Sequence, residues 1–186
     1  MTKFKMDINT PFIKELIILV MGPLFQVFAY YLLINIFKDI DLIKMYHLGI
    51  LSFNLLPIYP LDGGRIINLF INKKYSFYKS LEISIIISYL IIVLILFTNI
   101  KIGINIIIME LFLVLLIHKE EKKKDIYFQK FILERYFNKY NYKKSIMINS
   151  IRKLYKYKTN YIKIGKNLYT EKEFIALNYQ IFNKKC

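Results

Sequence analysis

The chain has 186 residues, of which 56% are hydrophobic, with 28 Lys+Arg against 13 Asp+Glu and a single Cys. That lone thiol, Cys186 at the last position, excludes a disulfide-built secreted module and any cysteine-rich metal site, and it fits a chain facing a reducing compartment. The 16 Tyr and 15 Phe exclude intrinsic disorder, and with no Trp the interfacial anchors fall to Tyr, Lys and Arg.

Residues 1–117 carry 10 basic and 7 acidic side chains, net +3, whereas residues 118–186 carry 18 and 6, net +12. The two parts are built for different solvents. Charge-free apolar runs cover Leu16–Phe37, Met45–Leu61 and Ile83–Ile100, and a fourth, Ile102–Ile117, is interrupted only by Glu110. The runs come near the roughly 20 residues that cross a hydrocarbon core of about 30 Å, and they lack the polar stripe of a soluble helix. The expectation is an all-α polytopic membrane protein with four transmembrane helices, over about 16–37, 45–70, 81–99 and 102–118, one of them broken by Pro and Gly. Residues 1–118 form this membrane domain and 119–186 a small basic cytoplasmic α/β module.

Lys3, Lys5 and Lys14 precede the first run, and Lys73, Lys74 and Lys79 follow the second. With the basic tail they place both termini in the cytoplasm, because positive residues are retained there. The connection from Lys38 to Lys44 is mixed, with Asp39 and Asp41, and Asn99–Lys101 reads as a tight turn. The opening MTKFKMDINTPF is too polar for a secretory signal peptide. In the tail, residues 120–157 place Ile126, Phe131, Leu133, Tyr136 and Phe137 at helical spacing, which predicts an amphipathic helix. Beyond Thr159 the alternation around Gly165 and Asn167 predicts a hairpin, and EKEFIALNYQIF a final helix. The alternative is a membrane-hugging tail that folds only against partners. The basic charge also suits nucleic acid, but Lys-rich flanks beside membrane spans are better explained by anionic lipid, so lipids and not nucleic acid are the expected partners.

The chemically informative stretch is LGILSFNLLPIYPLDGGRIINLF, residues 48–70. Asp62 follows 17 uncharged residues, and a carboxylate at that depth is costly unless it is paired, metal-bound or facing water. Pro57 and Pro60 interrupt the helical ladder, and Gly63–Gly64 free the backbone to turn. Broken backbone at membrane depth survives only when buried in protein or lining a cavity. Asp62 therefore has two readings, a functional carboxylate on an irregular segment or the cap of a helix starting at Gly63, with Arg65 at the cytoplasmic boundary.

The whole string N-x-x-P-x-x-P-L-D-G-G, on Asn54, Pro57, Pro60, Leu61, Asp62, Gly63 and Gly64, resembles the signature of the site-2 protease family of intramembrane zinc metalloproteases. KELIILVMGPLFQ is similar to that family's E-x-x-I-x-x-x-G-P-L segment, with Glu15, Gly22, Pro23 and Leu24 matching. HLGILSFNLLPIYPLDGGR and KFILERYFNK resemble its stage IV sporulation subgroup, which processes a sigma-factor precursor. The resemblance implies Asp62 as a zinc ligand, Asn54 and the Pro and Gly positions as its support, and peptide hydrolysis on a membrane-tethered protein substrate. It also implies regulatory or inhibitory membrane proteins as partners, and at Asn160–Phe182 a remnant of a CBS domain that senses ATP.

The H-E-x-x-H that supplies two imidazole ligands and the general base of a zincin site is absent from the 186 residues, so no catalytic residue is assigned here. His47 and His118 are the only histidines, and 15 residues of continuous helix would hold His47 about 22 Å from Asp62. Both read as interfacial side chains. In the family that helix lies upstream of the G-P-L segment, so the expectation is a chain lacking its first two spans and binding no catalytic zinc alone. The rivals are a non-catalytic membrane scaffold derived from the family, and a transporter or channel module with Asp62 as ion ligand. The last would require internal repeats and more intramembrane polar residues than Glu110.

Overall fold

The computed structural model of the chain describes residues 8–36, 40–98, 104–138, 140, 142–165 and 167–183. Lys3, Lys5, Lys38, Asp39, the turn expected at Asn99–Lys101 and Cys186 lie outside the described residues. The apolar runs fold as helices, which satisfy every backbone group within one segment. They give α1 (Phe12–Ile36), α2 (Ile40–Asn54), α3 (Asp62–Lys74), α4 (Phe77–Thr98) and α5 (Ile104–Phe137). Two stretches, Phe12–Ile34 and Phe77–Phe97, are long and apolar enough to cross a hydrocarbon core. The segment expected over 45–70 is indeed broken, into the 15-residue α2 and the 13-residue α3.

The fourth apolar run lies in α5, which continues past residue 118 as one helix of 34 residues. Its polar half is rich in Lys and Glu, good helix formers with Glu120 and Lys124 at the supportive i, i+4 spacing, so nothing local stops it. The amphipathic helix expected over 120–157 stops at Phe137. Asn138 disfavours a helix interior, and the apolar run SIMI forms β1 (Ser145–Ile148), followed by a 3-10 turn at Ile151–Lys153.

The chain divides into two compact units: an apolar unit of residues 12–70 and 82–121, and a basic unit of the described residues in 1–11, 71–81 and 122–186. The core of the apolar unit is Ile58, Ile85, Ile92, Leu113 and Ile117, with Phe53, Leu56, Leu61 and Val114 packed against it. Serines of α4 tie the helices: in the apolar unit Asn68 Nδ2 donates to Ser84 Oγ (2.8 Å) and the Tyr59 N–H to Ser88 Oγ (2.7 Å), and within the basic unit Ser80 Oγ donates to Asn72 Oδ1 (2.6 Å). Inside an apolar helix pair such bonds contribute about 1 kcal/mol each. α1 contacts α2, where Gln26 Nε2 donates to the His47 carbonyl (3.4 Å), but its large apolar side chains are mostly exposed, Phe25 at 69% and Tyr31 at 70%.

In the basic unit β1 pairs parallel with β2 (Thr159–Ile164), which pairs antiparallel with β3 (Asn167–Thr170). This is the predicted hairpin, and Gly165 makes its turn at φ +58°, where a side chain is disfavoured. α6 (Glu171–Asn183) packs on β2 and β3, burying Ile175 with Ile162, Ile148 and Leu154 in the core. The Phe77 ring stacks on Phe131 with centroids 4.4 Å apart. Arg135, 3% exposed, is fully engaged: Nε donates to Asn9 Oδ1 (2.7 Å), Nη1 to both Glu171 carboxylate oxygens (2.9 and 3.0 Å), and Nη2 to the Tyr155 and Lys156 carbonyls. Asn160 joins the network by donating to Glu171 Oε1 (2.7 Å).

T-E-K-E at the start of α6 forms a capping box: the Thr170 N–H donates to Glu173 Oε2 (2.9 Å) and the Glu173 N–H to Thr170 Oγ1 (3.4 Å). Hydrogen bonding from Thr170, its backbone N–H first and then its side chain, holds the Glu173 carboxyl below the usual glutamate range. A lowered folded-state value means stabilisation present above the unfolded value and lost as pH falls through the folded one. Carboxyl-carbon NMR titration should therefore find Glu173 below the other exposed glutamates, and Thr170→Ala should raise it while loosening amide protection in the first turn of α6.

Candidate functional site

The site is built on the break between α2 and α3. Asn54 is the last residue of α2 and Asp62 the first of α3, so amide and carboxylate stand at the two ends of loop 55–61. Leaving α2, the Leu55 N–H donates to the Leu51 carbonyl (3.0 Å) and the Leu56 N–H to that of Phe53 (3.2 Å). Fully buried Ile58 then anchors the loop in the core, and the Leu61 N–H donates back to its carbonyl (2.8 Å), closing a turn just ahead of Asp62. Pro57 and Pro60 lie in this loop, where their missing donors cost no helical bond, and the Tyr59–Pro60 peptide is cis. The Arg65 N–H donates to the Leu61 carbonyl (2.9 Å), starting the ladder of α3, and the Arg65 side chain is exposed.

The glycine pair permits this geometry. A Cβ at Gly63 would stand 2.1 Å from the Leu55 carbonyl oxygen and 2.5 Å from that of Leu56. At Gly64 it would stand 2.3 Å from the Tyr59 nitrogen and 2.4 Å from the Ile58 carbonyl oxygen. No side chain fits at either position, and the first turn of α3 lies directly on loop backbone.

Asp62 is partly buried and reaches α1. A Cβ on Gly22 would meet Asp62 Oδ2 at 3.5 Å, an ordinary contact, so the carboxylate sits against the G-P-L segment where α1 has no side chain. Pro23, inside α1, leaves the Leu19 carbonyl without its i+4 donor next to the same place. The two motif segments, remote in sequence, thus meet at Gly22 and Asp62. Asn54 is half-buried at the far end of the loop.

The donors present do not by themselves fit a catalytic zinc, which takes three protein ligands. Among the described residues no group of three His, Cys, Asp or Glu is placed to hold a metal ion. His118 stands 3.8 Å from Glu121 on an exposed turn. His47 packs beside Tyr30 with ring centroids 5.5 Å apart. The 22 Å of continuous helix expected between His47 and Asp62 does not exist, because the chain breaks at Asn54. Tyr30 and Gly22, their neighbours on α1, stand about 12 Å apart along that helix. Sequence reasoning missed the Asn68, Ser84 and Ser88 contacts behind the loop; serines every fourth residue in an apolar run were the available signal.

The glycine geometry predicts opposite outcomes for two alanines. Gly63→Ala should destabilise the apolar unit by about 2 kcal/mol or more through overpacking against backbone. Gly49→Ala in α2, where nothing lies within 4 Å of the added Cβ, should be neutral or stabilise by up to about 1 kcal/mol. Unfolding titrations in mixed detergent check both.

No family model matches the chain. It is 31% identical over 142 residues to Stage IV sporulation protein FB of Bacillus subtilis (strain 168), covering 70% of this chain and 49% of that protein. It is 35% identical over 80 residues to Zinc metalloprotease MJ0392 of Methanocaldococcus jannaschii, covering 38% of this chain and 24% of that protein. The chain spans about half the length, or less, of the curated relatives it matches. With the N-x-x-P-x-x-P-L-D-G-G loop and the G-P-L helix meeting at Asp62 and Gly22, these likenesses place the chain in the site-2 protease family, among proteins like Stage IV sporulation protein FB.

Proposed function

We propose that the chain is the aspartate-bearing part of an intramembrane zinc metalloprotease that cleaves a membrane-tethered protein, a sporulation sigma-factor precursor by likeness to Stage IV sporulation protein FB. The observation that carries this reading is the broken segment holding Asp62 against Gly22. Asp62 supplies one metal ligand, and the two imidazoles and the general base come from an H-E-x-x-H segment outside these 186 residues. The part played by this chain is positional: loop 55–61 breaks the helix, the glycine pair seats α3 on it, and the carboxylate is delivered to α1. Water activation belongs to the completed site.

In this reading the chain crosses the membrane four times with both termini cytoplasmic, counting the α2–α3 segment and the apolar half of α5 as spans. Its partners are membrane lipids, the tethered substrate and regulatory membrane proteins, not nucleic acid. ATP sensing by the tail has no support in the fold or the likenesses; Arg135, Asn160 and Glu171 of the basic unit are engaged with one another. A non-catalytic scaffold is the second reading, favoured by the absence of H-E-x-x-H from the chain. The two part in one experiment, with the chain co-expressed beside the H-E-x-x-H-bearing segment of a relative and a membrane-tethered precursor. The protease reading predicts cleavage that falls at least 100-fold with Asp62→Ala. Absent cleavage, or cleavage indifferent to Asp62, would leave the scaffold.

A further inference from the structure

Ser88 lies on α4, outside both motif segments, yet its hydroxyl touches the loop that carries the site. It accepts the Tyr59 N–H at 2.7 Å and donates its own proton to the Ser84 carbonyl at 2.7 Å. A hydroxyl has one proton and two lone pairs, so donation to the helix orients a lone pair toward the loop. Ser84 is itself tied to α3, where Asn68 Nδ2 donates to its Oγ at 2.8 Å. Ser84 and Ser88 are buried, as is Asn68, so this chain of contacts runs through the interior of the apolar unit.

Tyr59 is where the loop is most sensitive to being held. Its nitrogen would lie 2.3 Å from a Cβ on Gly64, so α3 rests on this amide. Two residues later the Leu61 N–H closes on Ile58 (2.8 Å), which leaves no slack between Tyr59 and Asp62. The loop has lost its helical bonds to Pro57 and Pro60, and the Tyr59 amide is the backbone donor that α4 captures. We propose that Ser88 is a positioning residue: through the Tyr59 amide it sets where the Asp62 carboxylate stands relative to Gly22 of α1. The inference rests on Asp62 being the site residue, and Ser88 itself touches neither metal nor substrate.

Two readouts on the full chain in lipid nanodiscs test this without any catalysis, so they stand or fall apart from the protease reading. In a Cys186→Ser background, the pair Gly22→Cys and Asp62→Cys should form a disulfide readily, since the two positions are in contact. Ser88→Ala should slow its formation at least fivefold and, with Asp62 intact, speed hydrogen exchange of the Tyr59 amide at least tenfold. Ser88→Thr, which keeps the hydroxyl, should restore both. Ser80→Ala removes a neighbouring bond of the same helix face, to Asn72, and should leave both unchanged, which separates positioning from general loosening. Unchanged disulfide and exchange rates in Ser88→Ala would overturn the proposal. So would an equal effect of Ser80→Ala or, if Ser88→Ala does not fold, a Ser88→Thr protein with the amide unprotected.

Discussion

The apolar unit depends on one close approach of backbone to backbone. The first turn of α3 lies on residues 55–59 at distances that admit hydrogen but no carbon, because Gly63 and Gly64 have no Cβ. From that contact follow the abrupt restart of the helix at Asp62, the burial of Ile58 in the core, and the direction in which the carboxylate leaves the chain. Non-helical backbone in an apolar surrounding must find partners within the protein. Here they are the turn between Ile58 and Leu61 and the α4 serine that takes the Tyr59 amide. A segment that reads as one span in composition is thus a broken one in structure, held open by two glycines and closed off by side-chain hydroxyls.

The basic unit is organised around a charge instead. Arg135 is buried, and its hydrogen bonds reach Asn9 ahead of α1, the carbonyls of 155, 156 and 158, and Glu171 at the start of α6. A buried guanidinium is tolerated when its donors are met and its charge is paired, and both hold here. The unit therefore collects segments distant in sequence, including the first residues described, through one side chain. Its basic charge, net +12 over residues 118–186, is a separate property.

What was legible in the sequence followed periodicity and punctuation. The apolar helices, the break at Pro57–Gly64, the hairpin around Gly165 and the helix after it were each carried by local signals. The continuity of α5 past residue 118 was not, because Lys and Glu extend a helix as readily as Leu. The strand at Ser145–Ile148 was hidden by four residues whose pattern suits helix or strand alike, and only pairing with β2 decides it. At the site, Asp62, Gly22 and the proline positions were all readable from the two motifs. Their meeting was not, since Gly22 and Asp62 are 40 residues apart and nothing local encodes the contact. The serines of α4 passed unnoticed because small polar residues in an apolar run look like tolerated substitutions until a donor is seen facing them.

In the proposed reading Asp62 is one ligand of a metal centre whose other ligands lie outside these 186 residues. The most direct test is zinc stoichiometry, measured by elemental mass spectrometry on the purified chain alone and on the chain paired with an H-E-x-x-H-bearing segment. The account predicts no stoichiometric zinc on the chain alone, one equivalent on the pair, and loss of that equivalent with Asp62→Ala. Stoichiometric zinc on the chain alone, or zinc retained by the Asp62→Ala pair, would contradict it.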